Sequence, residues 1–167
     1  IRNDLSRIAN AGSVDVTNLF AVETYPTLHQ MTSTITAECK DVLTPSALFA
    51  ALFPCGSVTG APKIRAMEII AELEVGARGV YCGAIGHFSP ALGERPMHWC
   101  FNVPIRTLIA RGSCRGQLSV GSGLIADSEA LLEYNECLLK AQFAEEVAAR
   151  APFGLIETMR VEGGRVA

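Results

Sequence analysis

Apolar and polar positions alternate along this chain with two different periods, and the switches between them outline its elements. Residues 2–11 carry Leu5, Ile8 and Ala9 at helical spacing, which predicts a helix tail ending at Gly12, a residue suited to closing a helix. From Ser13 to Cys39 the pattern changes to Val, Thr, Ile and Phe in β-like alternation, interrupted at Pro26 by a bend or an edge. Thr44-Pro45 offers an N-cap and an N1 proline for a short helix to Phe53. Residues 54–60 read as a loop. Pro62 is expected at N1 of the next helix, with Ile64, Met67, Ile69, Ile70 and Leu73 apolar and its end before Gly76.

Three strands are predicted next, near 79–88, 98–110 and 116–125, in an antiparallel meander joined by the turn-rich stretches 89–96 and 111–116. Asp127 or Ser128 is expected to cap a last, longest helix running to about Arg150, with Leu131, Tyr134, Leu138 and Ala141 along one stripe. After Pro152, residues 153–166 read as a strand, a turn at Gly163-Gly164 and the start of another strand. The predicted class is α+β, an antiparallel sheet with flanking helices.

Composition narrows what such a fold is for. The 167 residues are 49% hydrophobic and 19% charged, with a net charge of −3, which describes a chain with a substantial core. Acids and bases are interspersed, and without a basic stripe there is no footprint for nucleic acid. The longest clearly apolar run, Ala47 to Phe53, is too short to span a bilayer, so no membrane partner is expected. The cysteines at 39, 55, 82, 100, 114 and 137 lack C-x-x-C spacing and read as buried, reduced thiols of a cytoplasmic protein. Because the chain begins at Ile1 inside a helical pattern and stops soon after a new turn, it is expected to be a piece of a longer polypeptide.

The candidate chemistry is acidic and anion-binding. Glu129, Glu133, Glu136 and Lys140 fall at steps of four, three and four, so one helical face carries them all. Two carboxylates one turn apart can share a hard cation such as Mg2+, and the same spacing also describes a solvated face of Glu–Lys pairs. Residues 56–63, GSVTGAPK, form a hydroxyl-bearing loop entering a helix. That is a natural carboxylate site, though a purely structural loop reads equally well. The loop lacks P-loop spacing. Gly121-Ser122-Gly123 interrupts an apolar strand, either as a bulge or to let backbone approach a ligand. Arg106 is a lone charge in the strand-like run 101–108, at the surface or as a carboxylate clamp. His29 is an isolated strand histidine, and no nucleophile elbow is present.

The order of several motifs goes further. RNDLSR at 2–7, GSV at 12–14, YPTLHQM at 25–31, FPCGSVTGAPKIRAME at 53–68, RGVYCGAIG at 78–86, IRT at 105–107, GSGLIADS at 121–128 and EYNE at 133–136 follow one another. Together they closely resemble the C-terminal part of the chorismate-binding enzymes, over roughly residues 1–145. The resemblance implies the C-terminal part of the anthranilate synthase-like chorismate-binding fold, with residues 1–150 as the incomplete catalytic domain. It further implies Glu133 and Glu136 as Mg2+ ligands and Lys140 beside the metal and a substrate carboxylate. Tyr81 and Arg106 would hold a substrate carboxylate against the backbone of Gly121, Ser122 and Gly123. Ser57 would be a hydroxyl near the substrate, and His29 would stand beside the ring and assist catalysis.

Within that family the wording of residues 53–63, 81–86 and 101–108 is most similar to the branch that aminates chorismate to 4-amino-4-deoxychorismate on the way to p-aminobenzoate and folate. The alternatives are the anthranilate-forming branch and a non-catalytic domain that kept the fold. A glutamine amidotransferase subunit or domain is implied as the source of ammonia. Residues 153–166 resemble the opening of a class IV pyridoxal-phosphate enzyme, as in aminodeoxychorismate lyase. That implies a linker and second domain from 151, with the pyridoxal cofactor confined to it. Two family segments are missing: Pro-Ile-x-Gly-Thr, and a metal-binding glutamate that precedes Arg-Asn-Asp. The chain is therefore expected to supply half a site and to be inactive alone.

Overall fold

A computed structural model of the chain describes residues 1–26, 28–40, 43–94, 96–110, 116–142, 158–162 and 165–166. The N-terminal helix α1 is short, Arg2–Ser6. It stops well before Gly12 because the following backbone is drawn into pairing: Lys40 N donates to Ile8 O, Asn10 N donates to Glu38 O, and Ala9 bridges Cys39. Strands β1 (Asp15–Thr24) and β2 (His29–Glu38) form an antiparallel hairpin, with Pro26 in the connection. The hairpin carries a bulge between Thr17 and Ala21, where Asn18 and Phe20 adopt positive φ and Phe20 N donates to Ser33 Oγ at 3.0 Å.

Helix α2 (Pro45–Leu52) is capped as its sequence predicts, Thr44 Oγ1 accepting from Ala47 N at 3.2 Å. The expected loop at 54–60 instead contains a one-turn helix, α3 (Gly56–Thr59), closed by Gly60 at φ 129°. Helix α4 (Lys63–Leu73) follows, with Pro62 at its N-cap rather than N1.

The predicted meander is only partly formed. β3 (Ile85–Ser89) and β4 (His98–Asn102) pair antiparallel, but β3 begins six residues later than expected because residues 79–82 form a turn. β4 ends early because Pro104 has no N–H to donate and Arg106 takes φ 47°, both incompatible with a continuing ladder. Beyond that break, β5 (Leu108–Ala110) and β6 (Gly116–Leu118) make a separate two-stranded ladder. Helix α5 (Ala130–Ala141) starts two residues after Ser128, with Glu129 at the N-cap position and no side-chain cap. Its expected extension to Arg150 lies outside the described residues, as do residues 151–157 and the Gly163-Gly164 turn. β7 (Thr158–Glu162) and β8 (Arg165–Val166) pair with each other and complete a six-stranded sheet of order β1-β2-β8-β7-β4-β3, every neighbouring pair antiparallel.

The core lies where α1 and α2 pack on this sheet. Leu5, Leu48 and Leu52 are at most 2% exposed and cluster with Ala37, Trp99 and Phe101. Each such leucine is worth about 1.5–3 kcal/mol of burial. In β4 the buried residues Trp99 and Phe101 alternate with half-buried neighbours, as the strand period requires. Phe49 of α2 stands edge-on to Phe101, ring centroids 4.9 Å apart. Helix α5 shows the opposite pattern. Leu131, Leu132, Tyr134, Leu138 and Leu139 are all exposed. Among the described residues no single helix is long and apolar enough to cross a membrane.

Candidate functional site

The turn that carries Tyr81 and the irregular backbone of residues 121–128 meet beside α5. The expected strand at 116–125 stops at Leu118, and Gly121-Ser122-Gly123 lie in irregular backbone that turns back toward the helix. A Cβ on Gly121 would stand only 2.9 Å from Tyr81 Oη, so the glycine is what admits the phenol to this backbone. Lys140 Nζ donates to Gly121 O at 3.1 Å and pairs with Glu136 Oε1 at 2.5 Å. Two turns earlier on α5, Glu133 Oε1 accepts from Ser128 Oγ at 2.5 Å. That hydroxyl in turn accepts from Ile125 N at 3.0 Å. Ser128 is thus no helix cap; its hydroxyl links the irregular segment to the carboxylate.

The electrostatics follow from these contacts. The hydroxyl of Ser128 and then that of Ser122 hold the Glu133 carboxyl below the ordinary range. Its second oxygen, Oε2, is buried with no hydrogen-bond partner among the described residues. Burial pushes the Tyr81 phenol up to about 12, with the neighbouring Cys82 adding to the effect. Tyr81 therefore remains a neutral donor at any physiological pH. Its own position is fixed by Tyr81 N donating to Arg78 O and by Cys82 N donating to Pro104 O, with Cys82 at φ 61°. Arg78 is locked onto Glu74 by three hydrogen bonds of 2.7–3.1 Å and onto Val58 O of α3.

The structure thus brings together Tyr81, Gly121, Ser122, Glu133, Glu136 and Lys140, with Gly123 in the same segment. It places the other candidates elsewhere. Arg106 is exposed in the left-handed region, two residues beyond the Pro104 carbonyl that Cys82 engages. A non-glycine residue held at such φ marks stored strain of the kind found at functional sites. His29 is exposed at the start of β2, its Nδ1 3.1 Å from Thr24 Oγ1 across the hairpin. Ser57 is exposed in the first turn of α3. The lysine of the same loop, Lys63, is not offered to a ligand: it is buried against Asp4. An open, mostly apolar cavity of about 790 Å3, lined by Phe49, Phe53, Met67, Ile70 and Arg78 among others, shares Tyr81 with the cluster but none of the other candidate residues.

Two oxygen donors at 133 and 136 suit a hard divalent cation, and the unsatisfied Glu133 Oε2 is the kind of buried atom that such a ligand would satisfy. Among the described residues no three His, Cys, Asp or Glu side chains converge on one point.

Residues 1–146 match the family model of the chorismate binding enzymes. The chain belongs to that family. It is 47% identical over 142 residues to aminodeoxychorismate synthase component 1 of Escherichia coli, covering 81% of this chain and 29% of that protein. It is 37% identical over 155 residues to anthranilate synthase component 1 of Acinetobacter calcoaceticus, covering 93% of this chain and 30% of that one. In three dimensions it resembles anthranilate synthase component I from Streptococcus pneumoniae with a TM-score of 0.69 and 36% identity, over 84% of this chain and 31% of that structure. The α+β fold expected from the sequence is therefore shown. The chain spans less than a third of the length of each of these relatives, and residues 147–167 lie outside the family match.

Ser128 is the site residue that sequence reasoning misread. Serine just before a helix signals a cap, and nothing in its spacing from Glu133 announces the contact. The buried Asp4–Lys63 pair was equally silent, since the two residues lie 59 positions apart and no local pattern joins them.

Proposed function

We propose that this chain is the C-terminal part of an enzyme that aminates chorismate at C4, giving 4-amino-4-deoxychorismate for p-aminobenzoate synthesis. The observation that carries the reading is the convergence of Tyr81, Gly121, Lys140, Glu136 and Glu133 from separate segments. It lies inside a region more similar to aminodeoxychorismate synthase than to anthranilate synthase, 47% against 37%.

Chorismate is a dianion, and the residues divide naturally between its two carboxylates and the departing hydroxyl. The Tyr81 phenol, neutral at physiological pH, donates to one carboxylate beside the Gly121 backbone. Arg106, exposed outside the cluster, would add a planar, permanently charged donor pair if its side chain turned toward that carboxylate. Lys140 places an ammonium beside the Gly121 carbonyl, where it compensates both Glu136 and an incoming anion. Glu133 and Glu136 would hold Mg2+ through carboxylate oxygens, and the bound cation would supply Lewis acidity at the substrate carboxylate. Ser128 keeps Glu133 ionised and oriented for that task. His29 on the hairpin and Ser57 on α3 stand apart from this cluster, and the resemblance alone gives them a role beside the ring. In the net reaction the C4–O bond breaks, the oxygen leaves as water, and a C–N bond forms to ammonia. That ammonia would come from a glutamine amidotransferase partner in the cytoplasm. Residues 151–167 would begin a fused lyase-like domain, which would convert the product onward.

Product analysis tests the reading. The whole protein is incubated with chorismate, Mg2+ and ammonium, and the products are separated by chromatography. 4-Amino-4-deoxychorismate, or p-aminobenzoate if the lyase is fused, is the expected result. Anthranilate, or no product, would overturn it.

A further inference from the structure

Among the described residues, the most deeply buried charges lie outside the cluster just described. Asp4 and Lys63 are each more than nine-tenths buried, and Lys63 Nζ lies 3.0 Å from Asp4 Oδ1. The ammonium also donates to Ala51 O at 2.9 Å, in the last turn of α2. The other carboxylate oxygen of Asp4, Oδ2, accepts from Gly56 N at 3.0 Å, the first residue of α3. One carboxylate thus ties α1, α3 and α4 together, and its partner lysine adds α2.

The contact with Gly56 is tight on both sides. A Cβ at Gly56 would come within 3.1 Å of Asp4 Oδ2, so only glycine lets the carboxylate reach this amide at its present distance. α3 is held by further contacts, among them Val58 N donating to Cys55 O. Gly60 N donates to Gly56 O, Thr59 Oγ1 donates to Cys55 O, and Arg78 reaches Val58 O from the far side. Ser57 follows directly on the amide that Asp4 holds.

We propose that Asp4 is a positioning residue: its Oδ2 fixes the first amide of α3 and so sets where Ser57 presents its hydroxyl, while Lys63 makes a bare carboxylate tolerable at that depth. The inference rests on the reading that Ser57 faces chorismate. A core ion pair held only for stability could be replaced by uncharged residues of similar volume without functional consequence. A positioning carboxylate could not, unless the replacement kept an acceptor for Gly56 N.

Two double variants separate these roles in the whole protein. Asp4→Asn with Lys63→Met removes both charges but leaves a side-chain oxygen for Gly56 N. Asp4→Leu with Lys63→Met removes the charges and the acceptor at similar volume. Steady-state kinetics with chorismate, at saturating Mg2+ and ammonium, are compared with those of Ser57→Ala. A misplacement of order 1 Å can cost up to about a hundredfold. The leucine variant should raise KM about tenfold or more, the asparagine variant should stay within about twofold of wild type, and adding the leucine pair to Ser57→Ala should change little further. If the leucine variant does not fold, Asp4→Ala with Lys63→Met removes the same acceptor with no added volume. Equal KM for the asparagine and leucine variants would overturn the proposal while leaving Ser57 in place. An unchanged KM in Ser57→Ala would instead overturn the reading on which the proposal stands, as would a protein that does not turn over chorismate.

Discussion

Replacing Lys63 with Met removes a buried ammonium and keeps most of its aliphatic stem. Asp4, with its side chain 4% exposed, then retains Gly56 N–H as its partner within the body of the protein. Breaking a buried pair from one side costs about 3–5 kcal/mol, because the remaining charge is left uncompensated. Against a total stability of about 5–15 kcal/mol, that loss is severe. The pair Arg65–Glu68 provides the control. Its distance is similar, 2.8 Å, but the two side chains are 63% and 56% exposed. Arg65→Met should therefore change stability by no more than about 0.5 kcal/mol. Urea unfolding followed by the fluorescence of Trp99, the single tryptophan of these 167 residues and a member of the same core, reads both variants. With a urea dependence of about 2 kcal/mol per molar, Lys63→Met should lower the midpoint by about 2 M. Asp4→Asn with Lys63→Met should recover most of that loss. If Lys63→Met unfolds at the same urea concentration as Arg65→Met, the buried pair is not the anchor its geometry suggests.

Gly121→Ala drives a methyl to 2.9 Å from Tyr81 Oη, so the ring must move by several tenths of an ångström. The expected result is a stability loss of about 1–3 kcal/mol by thermal unfolding and at least a tenfold fall in kcat/KM for chorismate. A wild-type kcat/KM would remove Tyr81 from the site. Tyr81 itself, raised from 10.0 to about 12, gives a pH dependence with a definite sign. A group whose folded pKa is raised stabilises the fold fully below its unfolded value, so the contribution is complete below about pH 10 and disappears as pH rises toward about 12. Phenolate absorbance of wild type against Tyr81→Phe should show this one tyrosine ionising last. An ionisation near pH 10 would contradict its burial.

The sequence made the periodic elements legible and the closures between them obscure. The Thr44-Pro45 cap and the apolar stripe of α4 read directly because local pattern decides them. α1 was read five residues too long because the chain after Ser6 is captured by the end of β2, a partner some thirty residues away. The break after Asn102 was hidden inside an apolar run, although Pro104 was its visible cause. In the site, the face of Glu133, Glu136 and Lys140 followed from helical spacing alone, whereas its meaning came from the resemblance. What spacing could not supply was the tertiary half: Tyr81 against Gly121, Ser128 beneath Glu133, and a loop lysine withdrawn into the core by Asp4.

The proposed function requires that the carboxylates of α5 bind a cation. The most direct measurement is calorimetric titration of the whole protein with Mg2+, in wild type and in Glu133→Gln, with Glu129→Gln at the N-cap of the same helix as a control. Removing one of so few charged oxygen donors should weaken Mg2+ binding at least tenfold in Glu133→Gln and leave Glu129→Gln within about twofold of wild type. Equal affinity in all three proteins would contradict the assignment of Glu133 and, with it, the proposed site.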